Sequence, residues 1–332
     1  MRIWGTIAEI LADDRTCVLV SVLKAQGSAP REAGARMIVR DDGNFYGTIG
    51  GGSLEWEAIA FARSVLEGNG AAFETRTMAL GPDLGQCCGG RVVLGFEPLG
   101  SADLSAVLAL ADAERLTGFF ATRGAIGTDG RIRRTIEPPD RASADAEFAR
   151  LEGAVLIEQF GIDRRPVFLF GAGHVARALV LALAPLPFAV TWIDNRADAF
   201  PSHVPTNTRP CRVADLVAEL PKAGPGTFVL VMTHDHALDQ TLVEAALGAD
   251  RFPYVGLIGS RTKRARFIRR LKMAGLPDEA LDRMVCPIGI GGIASKAPAA
   301  IAASVAAQLL SVDEAERVSA EPAVDRHPVG VD

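Results

Sequence analysis

The sequence predicts an α/β protein in two parts: a C-terminal, Rossmann-like, doubly wound parallel sheet and a smaller N-terminal domain of mixed α/β character. Three observations predict it. From residue 166 onward, short apolar runs alternate with helical segments, the rhythm of successive βαβ units. Gly171-Ala172-Gly173-His174-Val175-Ala176 fits G-x-G-x-x-A and lies between such a run and a helical segment. In the first half, β-branched runs flank turn residues and one amphipathic segment.

In the C-terminal half, residues 166–170, 188–193, 227–232 and 254–258 read as apolar strands, with a last short one at 284–286. Helices are expected over 175–184, 213–220 and 238–247, then a basic helix to about residue 274 and a closing helix over 298–310. In the N-terminal half, CVLVSVL at residues 17–23 is a buried strand. Residues 36–39 and 45–49 flank Asp41-Asp42-Gly43-Asn44, a hairpin turn. Leu54, Ala58, Phe61 and Val65 make one apolar stripe of a helix running to about Glu67, with Ser53 as its N-cap and Gly68 as its stop. Strands at 74–80 and 91–97 bracket a loop rich in glycine and cysteine. A helix over 101–116 and a hairpin from 119–122 to 131–136 follow, and 137–150 reads as loop or exposed helix. The boundary falls near residues 161–165, giving domains over 1–160 and 161–314 and a charged tail, 315–332, expected to be disordered.

The chain has 332 residues, 48% hydrophobic and 23% charged, enough for two packed cores. A net charge of −5 argues against a nucleic-acid-coating surface. The longest apolar run, 178–193, contains Pro185 and Pro187 and falls short of the roughly 20 residues a membrane span needs. The first residues lack the apolar core of a secretory signal, and the five cysteines have no disulfide rhythm, so a reduced, cytoplasmic setting is expected.

Five segments carry candidate chemistry. Gly171 and Gly173 allow a tight turn, Ala176 close packing, and the helix start behind them offers N–H groups to a phosphate. Asp194, at the end of the second strand, stands where a ribose-binding acid is expected. The alternative is a nucleotide-type fold without its ligand. His174 is not required by dinucleotide geometry and hints at another cofactor. Thr233-His234-Asp235-His236 follows a strand, where His234 and His236 could hold a metal, move a proton or bond a heterocycle; equally, it is a polar loop with Asp235 as a helix cap. Ser260, Arg261 and Lys263, with Arg264, open the basic helix, where cations oppose the helix dipole unless an anion sits among them. Gly50, Gly51 and Gly52 can form a nest of N–H donors, although Glu55 would repel a phosphate there and suits a pterin-like N–H edge instead. Gln86-Cys87-Cys88-Gly89-Gly90 offers soft thiolates, either metal ligands or sulfur carriers, whereas Cys17, Cys211 and Cys286 look ordinary.

Taken in order, GSAPREAGARMIV (27–39), GTIGGGSLEWEA (47–58), CCGGRVVLGFEPL (87–99), LFGAGHVARAL (169–179) and PIGIGGIASKAPAAIAASVAAQLL (287–310) closely resemble the xanthine dehydrogenase accessory proteins of the XdhC/CoxI family. The resemblance covers nearly the whole chain. It implies a protein without turnover of its own that binds the molybdenum cofactor, molybdopterin, and protects it. It further implies presentation to a cysteine desulfurase for sulfuration and insertion into apo-xanthine dehydrogenase. On it, the Gly171 loop holds a pterin-side phosphate and Cys87 or Cys88 lies near the molybdenum or its sulfur. One departure stands: the family often has an acid just before Ile-Ala in the last motif, where this chain has Ala300. A homodimer is expected, since custody of a large cofactor favours a shielded cleft. The competing expectation is an NAD(P)-dependent oxidoreductase using the Gly171 loop and Asp194, although no hydride-transfer set accompanies them. A thiol redox or sulfur-transfer enzyme using Cys87-Cys88 is a third.

Overall fold

A computed structural model describes residues 2–68, 72–81, 90–139 and 148–319. The chain divides into two compact units, Met1–Asp163 and Arg164–Asp332.

The first unit runs α1 (Ile3–Ala12), β1 (Cys17–Gln26), β2 (Arg36–Arg40), β3 (Phe45–Gly47), α2 (Gly52–Glu67), β4 (Glu74–Ala79), β5 (Arg91–Leu99), α3 (Leu104–Thr117), β6 (Phe119–Ile126), β7 (Ile132–Glu137), β8 (Ala149–Glu152) and β9 (Val155–Gly161). Its strands form two antiparallel sheets, ordered β3-β2-β1-β5-β4 and β7-β6-β9-β8. The pleat of β1 sets the layers. Val18, Val20 and Val22 pack with Leu54, Ala58, Ala62 and Val65 of α2, while Cys17 and Leu19 join α1, α3, Phe120 and Phe160 on the other face. Burial pushes the Cys17 thiol up to about 12, so it is a core residue and not a nucleophile.

One helix start departs from expectation, and another is capped from a distance. α2 is capped at Gly51, and Ser53 lies inside the helix, because the positive φ of Gly51 places the turn two residues earlier. α1 carries no side-chain cap of its own; Glu114 of α3 accepts from Ile3 N (2.8 Å) and Gly5 N (3.0 Å) instead.

Between the sheets lies a chain of buried charge. Arg134 on β7 forks onto Glu97 of β5 (2.5 and 2.7 Å) and also reaches Glu158 of β9 (2.7 and 3.0 Å). Glu158 receives Arg36 of β2 at 3.3 Å. Burial raises the Glu158 carboxyl, but the two guanidiniums outweigh it and hold it below the ordinary carboxylate range.

The second unit runs β10 (Arg165–Phe170), α4 (His174–Leu183), β11 (Phe188–Asp194), β12 (Thr208–Arg212), β13 (Phe228–Val231), α5 (His236–Gly248), β14 (Tyr254–Leu257), α6 (Arg261–Met273), α7 (Asp278–Asp282), β15 (Met284–Val285) and α8 (Pro298–Ser319). Its six strands are all parallel in the order β12-β11-β10-β13-β14-β15, the doubly wound Rossmann arrangement with its switch point between β10 and β13. Val167 and Leu169 of β10 face α4 and α8, whereas Phe168 and Phe170 face the core shared with α5 and α6. Burial on both faces explains the unbroken apolar strands.

Two expectations change here, and one strand is added. Residues 208–212, polar and proline-bearing, form the edge strand β12, where only one side need pair. The helix expected over 213–220 is a 3₁₀ stretch over Val217–Lys222 that includes Pro221. α8 runs to Ser319, so residues 315–319 are helical and not part of a disordered tail; buried Asp313 ties the helix to Arg165 (2.6 Å) and Arg317 (2.9 Å).

Removing Arg134 from the buried charge chain leaves Glu97 without its cation and Glu158 with Arg36 alone. Arg134→Ala is expected to lower unfolding free energy by about 3–5 kcal/mol, read as the urea midpoint. Arg133→Ala, which breaks the exposed Arg133–Asp129 pair, leaves the midpoint unchanged.

Candidate functional site

Loops after successive parallel strands gather at the carboxyl edge of the second unit's sheet, where ligands of open α/β sheets bind. The first, Gly171–Gly173, leaves β10. Gly171 has φ +103°, and a Cβ there would lie 2.4 Å from the Met232 carbonyl oxygen, so only glycine lets this loop pass the end of β13. Gly173, the N-cap of α4, supplies no side-chain hydrogen bond, and a Cβ on it would meet nothing within 4 Å. The start of α4 is therefore uncapped beside exposed Gly173 and His174, while Ala176 is buried against the sheet.

Asp194, at the tip of β11, is 3% exposed. Its carboxylate accepts from Ala172 N (2.7 Å), Arg196 N (2.9 Å), Arg196 Nε (3.0 Å) and Arg196 Nη2 (2.8 Å). A carboxylate offers about four lone-pair positions. All are engaged, so Asp194 as placed has none for the hydroxyls of a ribose. Burial raises this carboxyl, but the hydrogen bonds from Arg196 and Ala172 outweigh it and hold it below the ordinary range.

The loop after β13 is organised by a second buried acid. Asp239 of α5 is fully buried and accepts from Thr233 N (3.0 Å), Thr233 Oγ1 (2.7 Å) and Lys263 Nζ (2.7 Å). Lys263 also donates to the Ile258 carbonyl at 3.0 Å, so its ammonium serves the scaffold. Asp235 caps α5 through Ala237 N (2.7 Å), and Ser260 caps α6 through Lys263 N (3.2 Å). His234, His236, Ser260 and Arg261 are exposed on these two loops. The loop after β15 is pinned by Gln308 of α8, which accepts from Gly289 N (2.7 Å) and from Tyr254 Oη (2.7 Å).

In the first unit, the glycine nest already holds an anion. Glu55 Oε1 accepts from Thr48 Oγ1 (2.5 Å), Ile49 N (3.0 Å), Gly50 N (3.3 Å) and Gly51 N (2.9 Å), while Gly52 begins α2. Burial raises Glu55, but Thr48 and these N–H groups outweigh it and lower its pKa. A Cβ on Gly50 would lie 2.4 Å from Pro30 Cγ, and one on Gly90 2.6 Å from the Ser28 carbonyl oxygen. The 27–31 loop therefore packs against both the triple-glycine turn and Gly90. Gln86, Cys87, Cys88 and Gly89 lie outside the described residues.

A cavity of about 130 Å³ near Trp4, Leu99, Val107 and Leu110 holds charges already paired with one another, Glu97 with Arg134 and Asp103 with Arg131. Among the described residues, no group of three or more His, Cys, Asp or Glu is placed to hold a metal ion, and no helix is long and apolar enough to cross a membrane.

The sequence brings Gly171, Gly173, His174, Ala176 and Asp194 to one corner, and His234, His236, Ser260, Arg261 and Lys263 to the neighbouring loops. It does not announce Arg196 and Asp239, whose only signal is an ionisable residue shortly after a predicted strand end.

A family model described as the XdhC Rossmann domain matches residues 167–309, and one described as the XdhC and CoxI family matches residues 10–78. YqeB of Escherichia coli (strain K12), an uncharacterised protein, is 28% identical over 320 residues, 94% of this chain but 46% of its own length. The chain thus spans under half of that relative. PaoD of the same organism, named a molybdenum cofactor insertion chaperone, is 26% identical over 310 residues, covering 92% of this chain and 86% of its own. A Bacillus halodurans crystal structure named as a xanthine dehydrogenase has a TM-score of 0.73 at 23% identity, covering 97% of this chain and 98% of the other, a likeness of fold. The chain belongs to the XdhC and CoxI family.

Because Asp194 titrates lower folded than unfolded, its stabilising contribution is complete above the ordinary carboxylate value and is lost as pH falls through the depressed folded value. Asp194→Asn is therefore expected to flatten the loss of stability between about pH 5 and pH 3, measured by urea unfolding across that range. An unchanged slope would remove the assigned role.

Proposed function

We propose that this protein is a chaperone of the molybdenum cofactor, which binds molybdopterin, shields it, supports its sulfuration by a cysteine desulfurase and delivers it to a xanthine-dehydrogenase-type apoenzyme. It performs no turnover of its own. The observation that carries the reading is the pairing of an open α4 start with a fully committed Asp194. A phosphate finds free N–H groups there, whereas the ribose diol of a nicotinamide dinucleotide finds no acceptor. The relationship to PaoD supports the same cargo.

In this reading the N–H groups of His174 and Val175 hold the pterin-side phosphate, and Gly171 and Gly173 let it approach. Asp194 shapes the loop and does not touch the cargo. Arg261, exposed at the start of α6, supplies uncommitted positive charge, and Ser260 and Lys263 fix its position. His234 and His236 offer polar ring edges to the heterocycle. Glu55 holds Gly50 and Gly51 in shape where Gly52 begins α2, and Gly89 leads from the cysteines. Cys87 or Cys88 is the soft donor for molybdenum or its sulfur. Thiolate chemistry suits a reducing cytoplasm, and a homodimer would shield the cargo further.

Anaerobic incubation with molybdenum cofactor, and separately with NAD(H), followed by gel filtration tests this. Molybdenum and pterin are expected to coelute with the protein, and nicotinamide is not. Retention of nicotinamide alone would point to an oxidoreductase using the Gly171 loop. Gly173→Asp is the sharper probe, since its φ of −78° and open surroundings accept a side chain without strain. It adds an N-cap to α4 but sets a negative charge where the phosphate binds. Cofactor retention is expected to fall at least about tenfold, equivalent to 1.4 kcal/mol, with the melting temperature unchanged or slightly raised. Undiminished retention would move the phosphate elsewhere.

A further inference from the structure

α6 is out of balance with the rest of the chain. Seven of its thirteen residues are Lys or Arg and none is acidic, in a protein of net charge −5. Lys263 is held by Asp239, Lys272 by Asp278, and Arg270 by Gln240. Among the described residues, Arg261, Arg264, Arg266 and Arg269 have no acidic partner. Phe267 and Leu271 point to the core, which turns Arg266 and Arg269 outward beside Met273, 83% exposed. Arg266 lies three residues before Arg269 and four before Arg270, spacings at which like charges destabilise a helix. Among the described residues no carboxylate pairs with Arg266 or Arg269, so the face is suited to charge from outside the chain.

We infer that the outer face of α6 is the docking surface for an acidic patch on the recipient apoenzyme. The recipient's identity rests on the chaperone reading; the charge argument does not. A protein suits the face better than other polyanions. The helix is about 20 Å long and is followed by acidic α7, with Asp278, Glu279 and Asp282, onto which an extended nucleic acid would run. Met273 is the one large apolar side chain on the outer face, which gives little to insert into a membrane. A compact acidic patch of helix length meets the cations without meeting α7. Such contacts act mainly on association rate and fade with salt.

The test compares wild type with Arg266→Glu/Arg269→Glu and with a charge-matched control on the other unit, Arg115→Glu/Arg123→Glu, whose arginines sit in exposed ion pairs. Binding to cofactor-free xanthine dehydrogenase is measured at low and physiological salt, and molybdenum retention is measured in parallel on each protein. The α6 variant is expected to weaken binding at least about tenfold at low salt, to lose most of the salt dependence and to retain molybdenum as wild type does. The control binds like wild type. Wild-type affinity in the α6 variant, an equal loss in the control, or no binding by the wild type overturns the docking surface. So does tighter, Arg266/Arg269-dependent binding to duplex DNA or to phosphatidylserine vesicles. Failure of the wild type to retain molybdenum, with apoenzyme binding still dependent on Arg266 and Arg269, defeats the chaperone reading and leaves the docking surface standing.

Discussion

The carboxylate of Asp194 is the contact on which the geometry of the second unit's candidate site depends. It takes the Ala172 N–H from the glycine loop and three donors from Arg196, and so fixes where β10 gives way to α4. Gly171 completes the constraint, because the loop can pass the Met232 carbonyl only without a Cβ. The consequence is chemical as much as geometric. The acid that dinucleotide-binding folds commonly offer to a ribose is spent inside this protein, while the helix start beside it keeps its N–H groups. Asp239 repeats the device one loop away and draws Lys263 out of the crevice.

The first unit follows the same logic. Several strong polar groups are answered internally, some from distant parts of the chain. Glu55 fills the nest made by Gly50 and Gly51, Glu114 caps α1, and Arg134 joins carboxylates of two sheets. These bonds pair the charged groups within the unit. Uncommitted cations such as Arg261, Arg266 and Arg269 stand out against that background.

Much of the architecture is legible in the sequence, because burial on both faces leaves apolar strands and burial on one face leaves a helical stripe. β10, β11, β13 and β14, with α4, α5 and α6, follow from pattern alone, and Asp235 announces itself as a cap. β12 escapes because an edge strand need not be apolar, and α1 because its cap comes from a residue 111 positions away. The chemistry of the site is less legible. A glutamate after three glycines does not reveal that it accepts from two of them, and an aspartate at a strand end does not reveal that Arg196 has already filled it. In each case the deciding fact is a hydrogen bond whose direction no periodicity encodes.

A crystal structure of the protein loaded anaerobically with molybdenum cofactor tests the central claim most directly. The account predicts a phosphate within hydrogen-bonding distance of the backbone nitrogens of His174 and Val175, with Asp194 still bonded to Ala172 and Arg196. A phosphate bound away from α4, or an Asp194 carboxylate turned onto the ligand, would contradict it.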